Sequence, residues 1–166
     1  MIAAMDLRPP SVDDGGAMWR LASTAGGLDT NSSYAYLLWC RDFAETSVVA
    51  VDPQPSDGEL AGFITGYRRP EAPDVLFVWQ VAVAPSRRRS GVAAAMLDHL
   101  ADILVDRGGS WVEATVTPEN GASAALFASF AARHGVGLEQ SPLFSVRQFP
   151  DHHEPESLLR IGPFRG

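Results

Sequence analysis

Three consecutive arginines, Arg87-Arg88-Arg89, stand between an apolar run and a glycine, and the chain's chemistry concentrates there. Residues 75–83 are almost continuously apolar, Pro85 ends the run, and Gly91-Val92-Ala93 opens a long amphipathic pattern. That order predicts a buried strand, a short basic turn and the start of a helix. The first turn of a helix leaves its amide donors unpaired, and the macrodipole there favours negative charge. Arginines at such a place oppose the dipole and repel one another unless an anion joins them. The segment therefore predicts that three guanidinium groups and the helix amides converge on a phosphate-bearing ligand. A solvated run of charge at a helix start is the competing reading of the same residues.

The elements that must position this turn follow from periodicity and punctuation. A short strand at 7–10 precedes a helix capped at Ser11, with Met18, Trp19, Leu21 and Ala22 along it and a stop at Gly26-Gly27. A second helix carries Tyr34, Leu37, Leu38 and Phe43 at helical spacing, so these four are expected to face inward. Runs at 47–51 and 60–67 flank a turn-rich stretch at 52–58 and predict an antiparallel hairpin. Residues 69–74, with two prolines, turn the chain into a central strand at 75–83. The strongest helical pattern runs over 91–106, with Val92, Met96, Leu100, Ile103 and Leu104 as its stripe and Gly108-Gly109 as its end. A strand at 111–117 follows, then a helix from Glu119-Asn120-Gly121 to Gly135 with Ala125, Leu126, Phe130 and Ala131 inward. The tail reads as a strand at 138–149, a polar stretch at 151–156 and a last strand at 158–161. Trp19, Trp39 and Trp111 are expected mainly in the core. This order predicts an α/β fold, a mixed central sheet of about six or seven strands flanked by about four helices, in one domain over 1–166.

Composition narrows the classes. The 166 residues carry a net charge of −7, which disfavours a nucleic-acid-binding module. All 13 basic residues are arginine. The single cysteine, Cys40, forbids an internal disulfide, suits a reducing cytoplasm and is expected as a small buried residue. Residues 1–10 lack the basic start and apolar core of a signal peptide, and no apolar run nears the roughly 20 residues needed to span a bilayer. A cytoplasmic location is therefore expected.

Val81-Ala82-Val83-x-Pro85, followed by Arg88-x-x-Gly91-x-Ala93, resembles the acetyl-coenzyme A loop of the GNAT acetyltransferase superfamily. The resemblance implies that Arg88, Arg89, Ser90, Gly91, Val92 and Ala93 cradle the pyrophosphate, and that Val81 and Val83 hold the pantetheine arm through their backbone. It also makes the Val81 N–H the donor to the thioester oxygen. Arg89 and Ser90 stand where Gly and Lys are common in that family. Thr117-Pro118-Glu119-Asn120-x-x-Ser123-x-x-x-Phe127 resembles the strand–helix where an Asn touches the cofactor and a Tyr seven residues on protonates the departing thiolate. Asn120, Ser123 and Phe127 are therefore placed at the cofactor, although Phe127 has no proton to give. Residues 28–43, 62–83 and 152–164 together look like the L-2,4-diaminobutyrate acetyltransferase family of ectoine biosynthesis. That likeness spans nearly the whole chain. It implies acetyl transfer from acetyl-CoA to the N4 amine of L-2,4-diaminobutyrate, with no metal, in a homodimer.

Diaminobutyrate carries two ammonium groups and a carboxylate. An alkylamine with pKa about 10.4 is neutral in only about one molecule in 2,500 at pH 7, so a base must help it attack. Asp29, ahead of the second helix, is either that helix's cap or the partner of an ammonium. Asn31 and Tyr34 are further contacts, and Trp79 offers a face for an alkylammonium or simple core packing. The 152–156 cluster of two His and two Glu reads as a solvated loop, as a substrate-facing group or as a metal site. Its spacing and proline disfavour the metal. His153 and Glu156 are the preferred proton acceptors, with Glu154 as a substrate contact and Glu113 as a further base acting through water. Three rivals remain in view: acetylation of another small-molecule or peptide amine, coenzyme A binding without turnover, and the disfavoured nucleic-acid module.

Overall fold

The computed structural model describes residues 5–53 and 59–166. Residues 54–58 of the expected 52–58 turn, and the first four residues of the N-terminal segment, lie outside the described residues. The seven strands are β1 (Asp6–Arg8), β2 (Val48–Val51), β3 (Leu60–Arg69), β4 (Ala72–Val83), β5 (Trp111–Val116), β6 (Gly137–Phe144) and β7 (Glu156–Gly162). They hydrogen-bond in the order β1-β2-β3-β4-β5-β7-β6. The four helices among the described residues are α1 (Gly15–Ala25), α2 (Ser33–Asp42), α3 (Val92–Asp106) and α4 (Gly121–His134). Antiparallel pairs at both ends, and neighbours β4 and β5 joined through a helix, make the mixed sheet that the pattern predicted. The chain divides into two compact units, one of Met1–Tyr67 with Val78–Ile103 and one of Arg68–Phe77 with Leu104–Gly166.

In the first unit, Met18, Leu21, Ala22 and Ala25 of α1 share a core with Val49, Phe63 and Ala82. Helix α2 adds Tyr36 and Cys40 to that core. Its expected stripe was out of phase. Tyr34, Leu37 and Phe43 are exposed, because the buried face runs through the i, i+4 pair Tyr36 and Cys40. Trp19 is likewise exposed rather than core. The entry to α1 is held by Arg8, which donates twice to Asp14 at 2.8 and 2.9 Å. Those bonds, with one from the Ser11 N–H, hold the Asp14 carboxyl below the usual carboxylate range. Helix α3 buries Val92, Met96, Leu97 and Leu100. It packs where β3 has no side chain: a Cβ at Gly62 would stand 2.8 Å from the Ala82 carbonyl oxygen and 2.9 Å from Met96 Cε.

In the second unit, β7 pairs antiparallel with β5 and β6, and Arg160 stands opposite both Glu113 and Glu139. Asn120 caps α4 by accepting from the Ser123 N–H at 3.1 Å, and Gly135 ends the helix in the left-handed region. Phe127, Phe130 and Ala131 are its buried residues, whereas Ala125, expected inward, is exposed. The segment expected as one strand over 138–149 stops at Phe144, and a helical turn at Val146–Gln148 follows. Strand β4 begins at Ala72, so most of the expected 69–74 turn is strand and the β3–β4 connection is a tight one through Pro70-Glu71.

Replacing Gly62 by Ala forces α3 or β4 to shift. Gly62→Ala should destabilise the fold by about 1–3 kcal/mol, read as a lower midpoint in urea at unchanged m-value.

Candidate active site

Strand β4 ends with Val81 and Val83 half-buried, and the chain leaves through a helical turn at Pro85–Arg87. Arg89 (φ 57°) and Gly91 (φ 84°) both take the left-handed region, which swings the backbone around ahead of Val92. The first-turn amides of α3 are then free of helical partners, as in any helix. Two of the three arginines each have a partner of their own. Arg87 pairs with Asp52, and Arg88 donates to the Ala25 carbonyl at the C-terminal end of α1, where a cation suits the dipole. The expected repulsion is relieved by these partners, and the anion-binding potential of the turn rests on its amides. Ser90 Oγ donates to the Arg87 carbonyl at 2.5 Å and tightens the turn.

A shallow, narrow cleft in the same unit is lined by Asn31, Ala35, Tyr36, Trp39, Thr65 and Trp79. The Asn31 Nδ2 atom is buried and has no hydrogen-bond partner among the described residues. A buried donor without an acceptor costs free energy, so this atom suits an acceptor brought by a ligand. Trp79 is 43% exposed, and its ring centroid lies 4.8 Å from that of Trp39. Ser32 caps α2, accepting from the Ala35 N–H at 3.3 Å, so Asp29 is not the cap. Asp29 sits in the irregular stretch ahead of Ser32, and its carbonyl accepts from Gln80 Nε2 at 3.0 Å. Tyr34 is 65% exposed on α2, and Tyr36 rather than Tyr34 reaches the pocket.

In the second unit, Glu113 is 2% exposed. Arg160 donates to its Oε1 at 2.6 Å and Arg69 to its Oε2 at 3.3 Å. Both oxygens are therefore occupied by guanidinium donors, and the role foreseen for Glu113 as a base through water does not fit this arrangement. The 152–156 cluster is ordered around His153. Its ring stacks on Phe149 at 4.3 Å, its Nδ1 lies 2.6 Å from the Glu154 carbonyl, and its Nε2 lies 3.6 Å from Glu156 Oε1. Since the carbonyl can only accept, Nδ1 is the donor there, and Nε2 is the ring nitrogen that faces Glu156. Glu156 Oε2 is buried without a donor. His152 takes φ 61° and is exposed, and Glu154 is half-buried. Among the described residues, no group of three or more His, Cys, Asp or Glu is arranged to hold a metal ion. At the start of α4, the Asn120 side-chain oxygen is taken by its cap and Ser123 is half-buried, while the Phe127 ring is buried at 3% exposure.

The profile of the Acetyltransferase (GNAT) family matches residues 17–131. The chain is 50% identical over 157 residues to an L-2,4-diaminobutyric acid acetyltransferase of Nocardia farcinica, covering 95% of this chain and 79% of that one. It is 52% identical over 163 residues to the enzyme so named in Streptomyces coelicolor, covering 97% and 94%. Among solved structures, the diaminobutyrate acetyltransferase EctA of Paenibacillus lautus, in complex with its substrate L-2,4-diaminobutyric acid and coenzyme A, superposes with a TM-score of 0.89. It shares 38% identity and the match covers 99% of this chain and 98% of that one. The chain belongs to the L-2,4-diaminobutyric acid acetyltransferases of the GNAT family.

For this acetyltransferase, sequence reasoning passed over Tyr36, Thr65 and Gln80, and over Arg69 and Arg160 as partners of Glu113. A signal for Gln80 was present, since it is the one polar residue in the apolar run 75–83. Cys40 takes no part in a site. It is 3% exposed, its Sγ lies 3.5 Å from Met18 Sδ, and burial pushes its thiol up to about 11. At pH 8 the thiolate fraction is then about one in a thousand. Iodoacetamide at that pH should leave Cys40 unmodified in the folded acetyltransferase and alkylate it within minutes in urea, as read by intact mass.

Proposed function

We propose that the chain transfers acetyl from acetyl-CoA to the N4 amine of L-2,4-diaminobutyrate, giving N4-acetyl-L-2,4-diaminobutyrate. A separate cyclising enzyme would convert this product to ectoine, which places the chain in osmoprotection. One observation carries the reading: the Paenibacillus lautus structure, alike over almost the whole of both chains, holds that amino acid and coenzyme A together. The transfer is direct. The amine nitrogen attacks the thioester carbon, a tetrahedral adduct forms, and the coenzyme A sulfur departs with the bonding pair.

The α3 turn takes the pyrophosphate through the amides of Arg89, Ser90, Gly91, Val92 and Ala93, with Arg88 beside it. Val81 and Val83 offer backbone groups to the pantetheine arm, and the Val81 N–H faces the developing oxyanion, a donor type worth about 10² to 10³ in rate. Asn120, Ser123 and Phe127 line the cofactor from the α4 segment. Asp29, Asn31, Tyr34 and Trp79 hold the amino acid, with Glu154 as a further contact. Buried Asn31 Nδ2, short of an acceptor, supports this assignment. His153 and Glu156 accept the proton, supported by the facing Nε2 and Oε1 atoms. The family profile runs from residue 17 to 131 through segments of both compact units, which supports one acetyltransferase domain. A homodimer and a cytoplasmic location complete the reading. Support for the dimer comes from β6, an edge strand exposed along its length that presents Leu138, Leu143 and Phe144.

Diaminobutyrate with acetyl-CoA should release free coenzyme A thiol, and proton NMR of the product should place the acetyl group on N4. In the same assay Arg88→Ala should raise the KM for acetyl-CoA about threefold, by releasing the turn that Arg88 ties to the Ala25 carbonyl. Thiol release with a different amine and none with diaminobutyrate would replace the substrate assignment, and binding of coenzyme A with no release at all would replace the enzyme. Light scattering should give about twice the 17.8 kDa chain mass, and a monomer mass would remove the dimer.

A further inference from the structure

The apolar strand β4 buries one amide side chain, Gln80, at 4% exposure. A buried amide is costly unless both of its ends are paired. Here both are. Tyr36 Oη donates to Gln80 Oε1 at 3.0 Å, and Gln80 Nε2 donates to the Asp29 carbonyl at 3.0 Å. The Gln80 backbone N–H donates to Thr65 Oγ1 at 3.1 Å, which fixes the residue against β3. One side chain thus ties a strand to helix α2 and to the irregular stretch ahead of it, across 44 and 51 residues of sequence.

That stretch carries Asp29 and Asn31. Its residues make no regular secondary structure, so their position is set by whatever fixes their backbone. The Gln80 clamp grips the chain two residues before Asn31, whose unpartnered Nδ2 lines the pocket together with Tyr36, Thr65 and Trp79. We infer that Gln80 is a positioning residue for the acceptor amine: through Tyr36 and the Asp29 carbonyl it holds in place the Asp29–Asn31 stretch that, with Trp79, receives the diamino acid. The inference rests on the reading that this pocket receives diaminobutyrate. Gln80 itself touches no reacting atom. Its loss should loosen the grip on the amino acid and relax the choice of chain length, and should leave the acetyl-CoA turn around Gly91 alone.

The test compares the full-length wild type, Gln80→Met and Tyr36→Phe, with L-2,4-diaminobutyrate, L-2,3-diaminopropionate and L-ornithine as acceptors. Gln80→Met keeps the volume and removes both side-chain hydrogen bonds, and Tyr36→Phe keeps the ring that meets Phe63 edge-on and removes one bond. Gln80→Met should raise the KM for diaminobutyrate about tenfold and Tyr36→Phe about threefold, with the KM for acetyl-CoA within about twofold of wild type. Both should also narrow the kcat/KM preference for diaminobutyrate over its shorter and longer homologues. An unchanged KM and unchanged preference in folded variants, or equal rises in both KM values, would overturn the inference. If Gln80→Met is insoluble, Tyr36→Phe decides by the same criteria. A wild type that acetylates none of the three acids would instead overturn the substrate reading, so the two failures are distinguishable.

Discussion

Helix α3 follows the turn around Gly91 at which pyrophosphate binding is proposed, and the place of the helix is set by an atom that is missing. The Cβ that any other residue would put at Gly62 would meet the Ala82 carbonyl oxygen on β4 and the Met96 side chain on α3 at under 3 Å, and Val92 Cγ1 at 3.2 Å. Val92 and Met96 are 1% and 0% exposed, so the first turn of the helix has no slack in which to retreat. Close packing at Gly62 therefore fixes where the free amides around Gly91 point, relative to the residue at which β4 ends. Arg87 and Arg88 each engage a partner, Asp52 and the end of α1, and so brace the loop on which the proposed pyrophosphate site is built.

Charge burial imposes a second constraint, in the other unit. A carboxylate as buried as Glu113 is tolerable only when paired and hydrogen-bonded. The β5–β7 register sets Arg160 directly opposite it, and Arg69 supplies the second guanidinium. Sliding β7 by one residue would turn Arg160 to the other face and leave Glu113 buried and half paired. The pair thus specifies strand register, and Arg160 is further held by lying 4.1 Å over the Trp111 ring. In the proposed mechanism proton acceptance is therefore assigned to His153 with Glu156, in the same unit, rather than to Glu113.

How much of this was legible follows from the range of each interaction. Helices α3 and α4 were readable because their stripes, caps and glycine stops are local, and the loop ahead of Gly91 because its motif is contiguous. Helix α2 was read in the wrong phase: Tyr34, Leu37 and Leu38 are apolar enough to imitate an inward stripe, and only the packing of Tyr36 and Cys40 against Met18 and Phe63 decides between the faces. The clamp through Gln80 and the pairing of Glu113 join residues 44 or more apart, and no periodicity reports such partners. A lone glutamine in an apolar strand announces that a partner exists without naming it. Ser32 displaced Asp29 as the cap of α2 for a local reason that several neighbouring candidate caps had obscured.

The absence of a hydroxyl at Phe127 bears on which proton transfer the protein must assist. An amine with pKa about 10.4 must lose a proton before it attacks, a cost of about 4.6 kcal/mol at pH 7. A thiol with pKa about 8.5 leaves as a thiolate whose protonation at the same pH is downhill by about 2 kcal/mol. The demanding step is therefore acceptance of the amine proton, and the departing sulfur needs little help. A buried Phe127 is compatible with that imbalance: at 3% exposure it is one of the inward residues of α4, and a ring at the proposed cofactor position would forgo only the less costly of the two transfers. On the proposed reading, that acceptance falls to His153, an imidazole held by stacking on Phe149 and by the Glu154 carbonyl, with Nε2 3.6 Å from Glu156 Oε1.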